Sequence, residues 1–571
     1  MKKITCLLLT ALMLFGTSAA LVGCGAPKDD GAEIAVYLGE GVYDLDPSDY
    51  YGNSNAEQLM SLIYEPLFRV NEKGKLECAA AEKYDINYET REITVTLRES
   101  YWSDGARVKA EDFVYAWCER ILAPGMPNAA APLFYDIENA LALKTGNVSV
   151  ADVGAAAVSS YELVITFRPE ANVDQLLRNL ATVASSPVRQ DIVTLNPTIW
   201  SKSVDKVFNG PFKVNYVDFI TGELTLARNV GYHQSPDTKR YDKIVNPGQL
   251  IAFLTPSGEE ISVSYSELSS VTFFMSDATL ADRKANKGSA TVKDDTSVYT
   301  YVFNTEHELF ADSRVRAALS LAIDRDAIIS AITYGKAANG FIPDAFGGSS
   351  ASLINTAANK TRALELLAEV DFDKIEDTSI ELTVNDDEES LAVAEIVKAC
   401  WEDLGYGITV TVVPAEVVTT KMTDVEYYDD GVQVALKEAS FGNRDFDVLA
   451  IDLQLYSNDP FVALASFTSY MSGMGVDFTS GFSRENIAGW TNSEYDYLIS
   501  AAYNTTDANE RAALLAEAEA LLCAECPVAP LYFNQTFCYI SGELKRMEFD
   551  AFGNYIFTEC KQKNYKKYLK D

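Results

Sequence analysis

Histidine is nearly absent from this chain, with two in 571 residues, His233 and His307. Chemistry that turns on an imidazole near neutral pH is therefore not expected, nor is a zinc site built on several histidines. No Walker loop, G-x-S-x-G elbow or H-E-x-x-H helix occurs either, which removes the common phosphate-binding, hydrolase and metalloprotease signatures. Basic residues are in short supply, 47 Lys and Arg against 83 Asp and Glu, for a formal charge of −36. Such a surface disfavours nucleic acid and anionic lipid and favours cationic over anionic ligands at long range, while a solvated acidic coat that serves solubility alone is the plainer reading of the same charge. Carboxylate pairs for acid–base work are always available among so many acids, so composition leaves that class open. Nothing singles such a pair out, and the expectation is no enzyme, no cofactor and no metal.

Long apolar runs are also missing, with one short exception at the start. Lys2-Lys3 followed by the apolar stretch Ile4 to Phe15 is too brief for a membrane span and suits a secretory signal. Leu21-Val22-Gly23-Cys24 resembles the lipobox of bacterial lipoproteins, which implies cleavage before Cys24 and acylation of its thiol. Residues 1–23 are then the signal peptide and 24–33 a flexible, lipid-anchored tether. Of nine cysteines, Cys6 leaves with the signal and Cys24 carries lipid. The remainder, Cys78, Cys118, Cys400, Cys523, Cys526, Cys538 and Cys560, is odd in number and cannot all pair internally. Cys523-Ala-Glu-Cys526 has redox spacing but ends a helix before Pro527, without a preceding strand, so it reads as a pair of buried structural thiols.

What is present is an ordinary globular composition, 48% hydrophobic and 23% charged, long enough for two to four compact units. The most informative stretch is Leu97 to Pro124. Ile93, Val95 and Leu97 alternate with Thr94 and Thr96 as in a half-buried strand. Ser103-Asp104-Gly105 is a turn, and from Ala110 the residues Phe113, Val114, Trp117 and Ile121 fall at helical spacing.

The string Tyr101 to Trp117, YWSDGARVKAEDFVYAW, resembles the signature of the solute-binding proteins of peptide-type ABC importers, solute-binding protein family 5. Lys109 departs from it, standing where a Thr suited to cap the helix is expected. Asp44-Leu45-Asp46-Pro47, Tyr64-Glu65-Pro66-Leu67, Asn209-Gly210-Pro211-Phe212, the helix Ser313 to Ile323 with Asp324-Arg325, Gly489 to Asp496 and Arg511 to Leu522 continue the resemblance along nearly the whole chain. It implies an α/β, large periplasmic-binding-protein-like fold of type II (cluster C), two lobes with an extra inserted subdomain and a hinge. Lobe I takes 34–67, 208–302 and 538–571. The inserted subdomain takes 68–207, and lobe II, which grips the ligand, takes 303–537. Alternating strands and helices between 360 and 413 point to a mostly parallel sheet in lobe II.

The resemblance implies an extracytoplasmic lipoprotein, monomeric and held to the membrane by its lipid alone. It would capture a short peptide between the lobes for a permease pair driven by cytoplasmic ATPases. An oligosaccharide ligand, or a peptide-sensing receptor without transport, is the alternative. Nickel and haem, which other members take, are disfavoured by the scarcity of His. Tyr51, Gly52, Asn53 and Ser54 precede a helix where family members meet the ligand's backbone. In the peptide-binding branch the run before an Asp-Pro dipeptide carries an Asp that holds the peptide's ammonium group. Aligned on Asp459-Pro460, residues 445–460 place Tyr456 at that Asp, Leu453 at a family Trp and Ala450 at a family Arg. An ammonium buried without a counter-charge costs several kcal/mol. Either Asp452 takes over, or the ligand is not held by a free N-terminus. The candidate ligand residues are Tyr51, Asn53, Ser54, Asp452, Leu453, Leu455, Tyr456 and Asn458. An extra segment, 427–443, could rim the cleft, touch the permease or be an inert loop.

Overall fold

The computed structural model describes residues 32–40, 45–48, 54–126, 128–197, 200–202, 206–218, 223–235, 244–255, 273–275, 280–343, 346, 348–349, 351–415, 446–473, 476–477, 482–483 and 486–563. Cys24, Tyr51, Gly52, Asn53 and the 427–443 segment lie outside them. Among the described residues no helix is long and apolar enough to cross a membrane.

The strands that position the site are β1 (Glu33–Glu40), β2 (Phe212–Asp218), β3 (Glu223–Arg228), β4 (Gln249–Thr255), β5 (Phe273–Met275), β6 (Thr291–Phe303), β7 (Ser379–Asn385), β8 (Thr409–Ala415), β9 (Val448–Gln454) and β10 (Val528–Ile540). They form one sheet in the order β8-β7-β9-β6-β10-β5-β1-β4-β3-β2. The helices are α1 (Ser54–Ile63), α2 (Leu280–Asn286), α3 (Ser313–Ala322), α4 (Glu388–Glu402) and α5 (Ala508–Glu525). β1 opens at Glu33, inside the span read as tether, because Glu33 already pairs with Gln249.

The mostly parallel sheet expected of the second half is realised only in part. β7 runs parallel to β8 and β9, but β6 lies antiparallel to β9 and to β10. β6 and β10 are the outgoing and returning crossings of one chain, so they must run in opposite directions. Their ladder breaks midway: Asp294 pairs with Gln535 and Val298 with Phe533, leaving Asp295, Thr296 and Ser297 opposite Asn534 alone. Such a bulge bends the strand and redirects its side chains.

The opening signature folds as its residue types dictate. Gly105, at φ +90°, lets Trp102 N–H reach the Ala106 carbonyl at 2.7 Å. Lys109 offers no cap, and Asp112 acts from within the helix instead, accepting from Lys109 N–H and Trp102 Nε1, each at 3.0 Å. The helix continues in π geometry over Tyr115–Ile121, and Trp117 donates to the Ser185 carbonyl at 2.8 Å. This segment packs on the four-stranded antiparallel sheet Ala81–Asn87, Glu92–Leu97, Glu162–Thr166, Ala155–Ser159. Where the chain leaves this subdomain, a Cβ on Gly210 would stand 2.4 Å from the Ile63 carbonyl carbon, while Asn209 and Glu65 exchange side-chain-to-backbone hydrogen bonds at 2.8 and 3.0 Å. Gly210→Ala is expected to cost about 2–4 kcal/mol, read as a lower denaturant midpoint with unchanged slope.

Buried apolar residues gather in two clusters. One joins Tyr299, Tyr301, Trp401, Leu382 and Ala529 with their neighbours in 299–532. The other holds the β1–β4 region, the inserted subdomain, and also Phe461, Tyr495, Leu515 and Leu522. Those last residues belong to the span expected as lobe II. They share a core with the subdomain, and Tyr503 ties the two together: its hydroxyl donates to the Tyr135 carbonyl at 2.8 Å while Arg168 lies 3.5 Å over its ring. All seven described cysteines are free. Burial pushes the Cys526 thiol up to about 11 and Cys523 well above its ordinary value, so both are inert at neutral pH.

Candidate functional site

β7 and β9 are parallel, and their carboxyl ends share an edge with the amino end of α4, the position where open α/β sheets leave a ligand crevice. Asp387 caps α4, accepting from Glu389 N–H at 3.0 Å and Ser390 N–H at 2.8 Å. On β9, Asp452 stands opposite Tyr299 of β6 and accepts from Asn534 Nδ2 at 2.7 Å. The same amide donates to Ser297 Oγ at 2.8 Å, so the bulge in β6 is what brings Ser297 and Asn534 to this carboxyl. Tyr299 and Tyr532 stack beside it, with ring centroids 4.9 Å apart.

Electrostatics at this edge are lopsided. Burial pushes Asp452 up to about 7; the Asn534 amide pulls it down, and Asp295, Asp387 and Glu389 push it further up. Arg283, from α2 on the opposite side, pairs with Glu389 at 2.5 Å. Across the seam, Gln454 Nε2 donates to the Glu57 carboxyl of α1 and to Thr296 Oγ1 at 3.0 Å. Asn554 Nδ2 donates to Glu57 at 3.3 Å and to Asp550 at 3.0 Å. Burial raises Glu57, with Asp295 and Asp550 adding to the effect. It raises Asp295 too and brings Asp550 to about 6.

Of the residues expected at the ligand, Asp452 is partly buried at this edge. Leu453 points to the opposite face, fully buried in the core, as the two-residue period of a strand requires. Leu455 and Tyr456 are 3% and 4% exposed, and Tyr456 adopts a left-handed φ of +58°. The chain turns there against the inserted subdomain. Gln175 Nε2 donates to Asn458 Oδ1 at 3.2 Å, and Ser457 Oγ meets Asn179 Oδ1 at 2.6 Å. Asp459 caps the helix Pro460–Ala465 and pairs with Arg511 at 3.0 Å. Ser54 opens α1, and Tyr51 and Asn53 lie outside the described residues. His233 is a loop residue, bound to Glu65 at 2.7 Å, away from this edge.

Sequence reasoning missed Glu57, Asp295, Asp387, Glu389, Gln454 and Asn534. One signal was available: Asp386-Asp387 between a parallel strand and a helix is a crevice position. The others meet only through the bulge and the closure of the seam.

Residues 75–470 match the profile of the bacterial extracellular solute-binding proteins, family 5 Middle. The dipeptide-binding protein DppE of Bacillus subtilis is 28% identical over 554 residues, covering 91% of this chain and 92% of the relative. The oligopeptide-binding protein OppA of the same organism is 27% identical over 491 residues, 82% of each chain. The fold matches the Escherichia coli murein tripeptide-binding protein MppA with a TM-score of 0.74 at 22% identity, covering 93% of this chain and 97% of that one. Against the unliganded open form of MppA the TM-score is 0.58, at 22% identity and with 95% and 99% covered.

Proposed function

The chain belongs to the family 5 bacterial extracellular solute-binding proteins, and from that premise we propose that it captures a short peptide at the seam and delivers it to the permease pair of an ABC importer driven by cytoplasmic ATPases. The names of its relatives, dipeptide-binding and oligopeptide-binding, support a peptide as the solute. In this reading the chain is a monomer tethered through acylated Cys24 at the outer face of the cell membrane and performs no chemistry on its ligand. Tyr51, Asn53 and Ser54 are ligand contacts in this reading on the family resemblance alone, and Leu455, Tyr456 and Asn458 steer the chain beside the inserted subdomain.

One observation carries the proposal. Asp452 is partly buried at the crevice edge, and its carboxyl accepts a hydrogen bond from an uncharged amide, Asn534. A free amino terminus supplies the positive charge that this carboxyl's surroundings lack, and Asp452 then stands in for the Asp replaced by Tyr456. Ligand contacts to both lobes supply the energy of closure.

Calorimetric titration of the mature chain with short peptides, N-terminally free or acetylated, and with cello-oligosaccharides tests this. Free peptides are expected to bind, and Asp452→Asn is expected to weaken them roughly ten-fold or more while leaving acetylated peptides unchanged. Equal affinity in the variant removes Asp452 as anchor. Binding of oligosaccharides with no peptide bound overturns peptide capture.

A further inference from the structure

We propose that the seam selects peptides that carry a basic side chain in addition to their amino terminus. This rests on the peptide-capture reading and deepens it.

The argument begins from an excess of acceptors. Six carboxyl groups run along the seam: Asp387, Glu389, Asp452, Asp295, Glu57 and Asp550. They form one electrostatic group, because Asp295 raises both Glu57 and Asp452, Asp550 raises Glu57, and Asp387 and Glu389 raise Asp452. Arg283 pairs with Glu389, Lys284 acts at a distance on the same carboxyl, and Arg69 acts at a distance on Asp550. The remaining partners are neutral: Asn534 on Asp452, Thr536 on Asp295 at 3.2 Å, and the amides of Gln454 and Asn554 on Glu57.

A second observation points the same way. Gln454 and Asn554 are 2% and 3% exposed, yet the carbonyl oxygens of both side chains, Oε1 and Oδ1, have no hydrogen-bond partner among the described residues. Gln454 sits between Glu57 and Asp452, donating to the first and two residues along β9 from the second. A buried carbonyl without a donor costs free energy, and two of them beside six carboxyls leave a lining that accepts hydrogen bonds and asks for donors.

Metal ions are a poor match, because no group of three or more Asp, Glu, His or Cys among the described residues is arranged to hold one. The acids are strung along the seam rather than gathered about a point. A chain of N–H donors with separated positive charges fits that layout: an ammonium at one place and an ε-ammonium or guanidinium at another. Asp387 is exposed and Glu389 partly so, which leaves that end of the run open to an incoming side chain. The formal charge of −36 adds long-range attraction for the same ligands.

The test is calorimetric titration of the mature protein at pH 7.5 with tetra-alanine and its single Lys and Glu substitutions. The best Lys peptide is expected to bind about ten-fold tighter than tetra-alanine, and every Glu peptide more weakly. The preference should shrink as salt screens the seam and in Asp387→Asn, where Asn still caps α4 and an unchanged thermal midpoint verifies the fold. Equal affinities for the Lys, Ala and Glu peptides overturn the charge selection while peptide capture stands. A Lys preference untouched in both Asp387→Asn and Asp452→Asn removes it from this cluster and overturns the inference. Failure of every peptide to bind overturns the underlying reading as well.

Discussion

Asp452→Asn is expected to stabilise the ligand-free protein at pH 8 and to leave its stability at pH 4 unchanged. In the fold this carboxyl holds its proton up to about 7, against an ordinary value of 3.8. Between those values the unfolded chain has released a proton that the fold still binds, so stability falls as pH rises. The contribution is fully present below pH 3.8 and lost through about pH 7. Three pKa units correspond to about 4 kcal/mol at most. Asn has the same shape, keeps its bond to Asn534 and cannot ionise. Asp550 and Asp112, each brought to about 6 by burial, act in the same window.

Lys144 has the opposite sign. It is 3% exposed and donates to the carbonyls of Ile121 at 2.9 Å and Met126 at 2.5 Å; burial lowers it to about 7 from 10.5. Between about 7 and 10.5 the unfolded chain binds the extra proton, and stability rises with pH. Unfolding by denaturant from pH 4 to 9.5 is thus expected to show a minimum near neutrality, shallower in Asp452→Asn. A steady rise in stability from pH 4 to 7 would sink this account.

Arg325→Met is expected to cost about 3–5 kcal/mol, among the largest single losses in the molecule. The side chain is 1% exposed. Its guanidinium donates to the Pro530 carbonyl at 2.7 Å, the Ser320 carbonyl and hydroxyl at 3.0 Å each, and the Asn355 carbonyl at 3.5 Å. It thereby joins the end of α3 to β10 and to the loop before the helix Lys360–Leu367. Removing the charge recovers some desolvation, since burial already lowers this group to about 10. Three segments then lose their donor, and each unpaired buried carbonyl costs ~1–3 kcal/mol. Lys cannot reproduce the planar fork, so Arg325→Lys should fall nearly as far. The denaturant midpoint of both variants decides it: a loss under ~1 kcal/mol means the contacts are replaceable.

Much of the fold was legible. The turn at Gly105, the helix at Ser313 and the parallel pair β7 and β8 all follow from residues within a few positions of one another. So does the reading of Cys523 and Cys526 as structural thiols. The cap that Lys109 cannot supply was predicted as a weakness, whereas Asp112, one turn on, supplies it. The site was less legible. Asp452 was singled out, but Leu453 was chosen for its place in a motif and lies on the far face of its strand.

The sequence by itself determined which segments become strands and helices, and, through its motifs, the family. Periodicity and capping act over one or two turns and need no partner. The tertiary structure alone decided which acids meet: Glu57 and Gln454 are 397 positions apart, and Asn534 reaches Asp452 from 82 positions away. A bulge in a crossing strand and the packing of α1 against the end of β9 bring them together. Low dielectric at that seam then turns scattered surface carboxylates into one strongly interacting group.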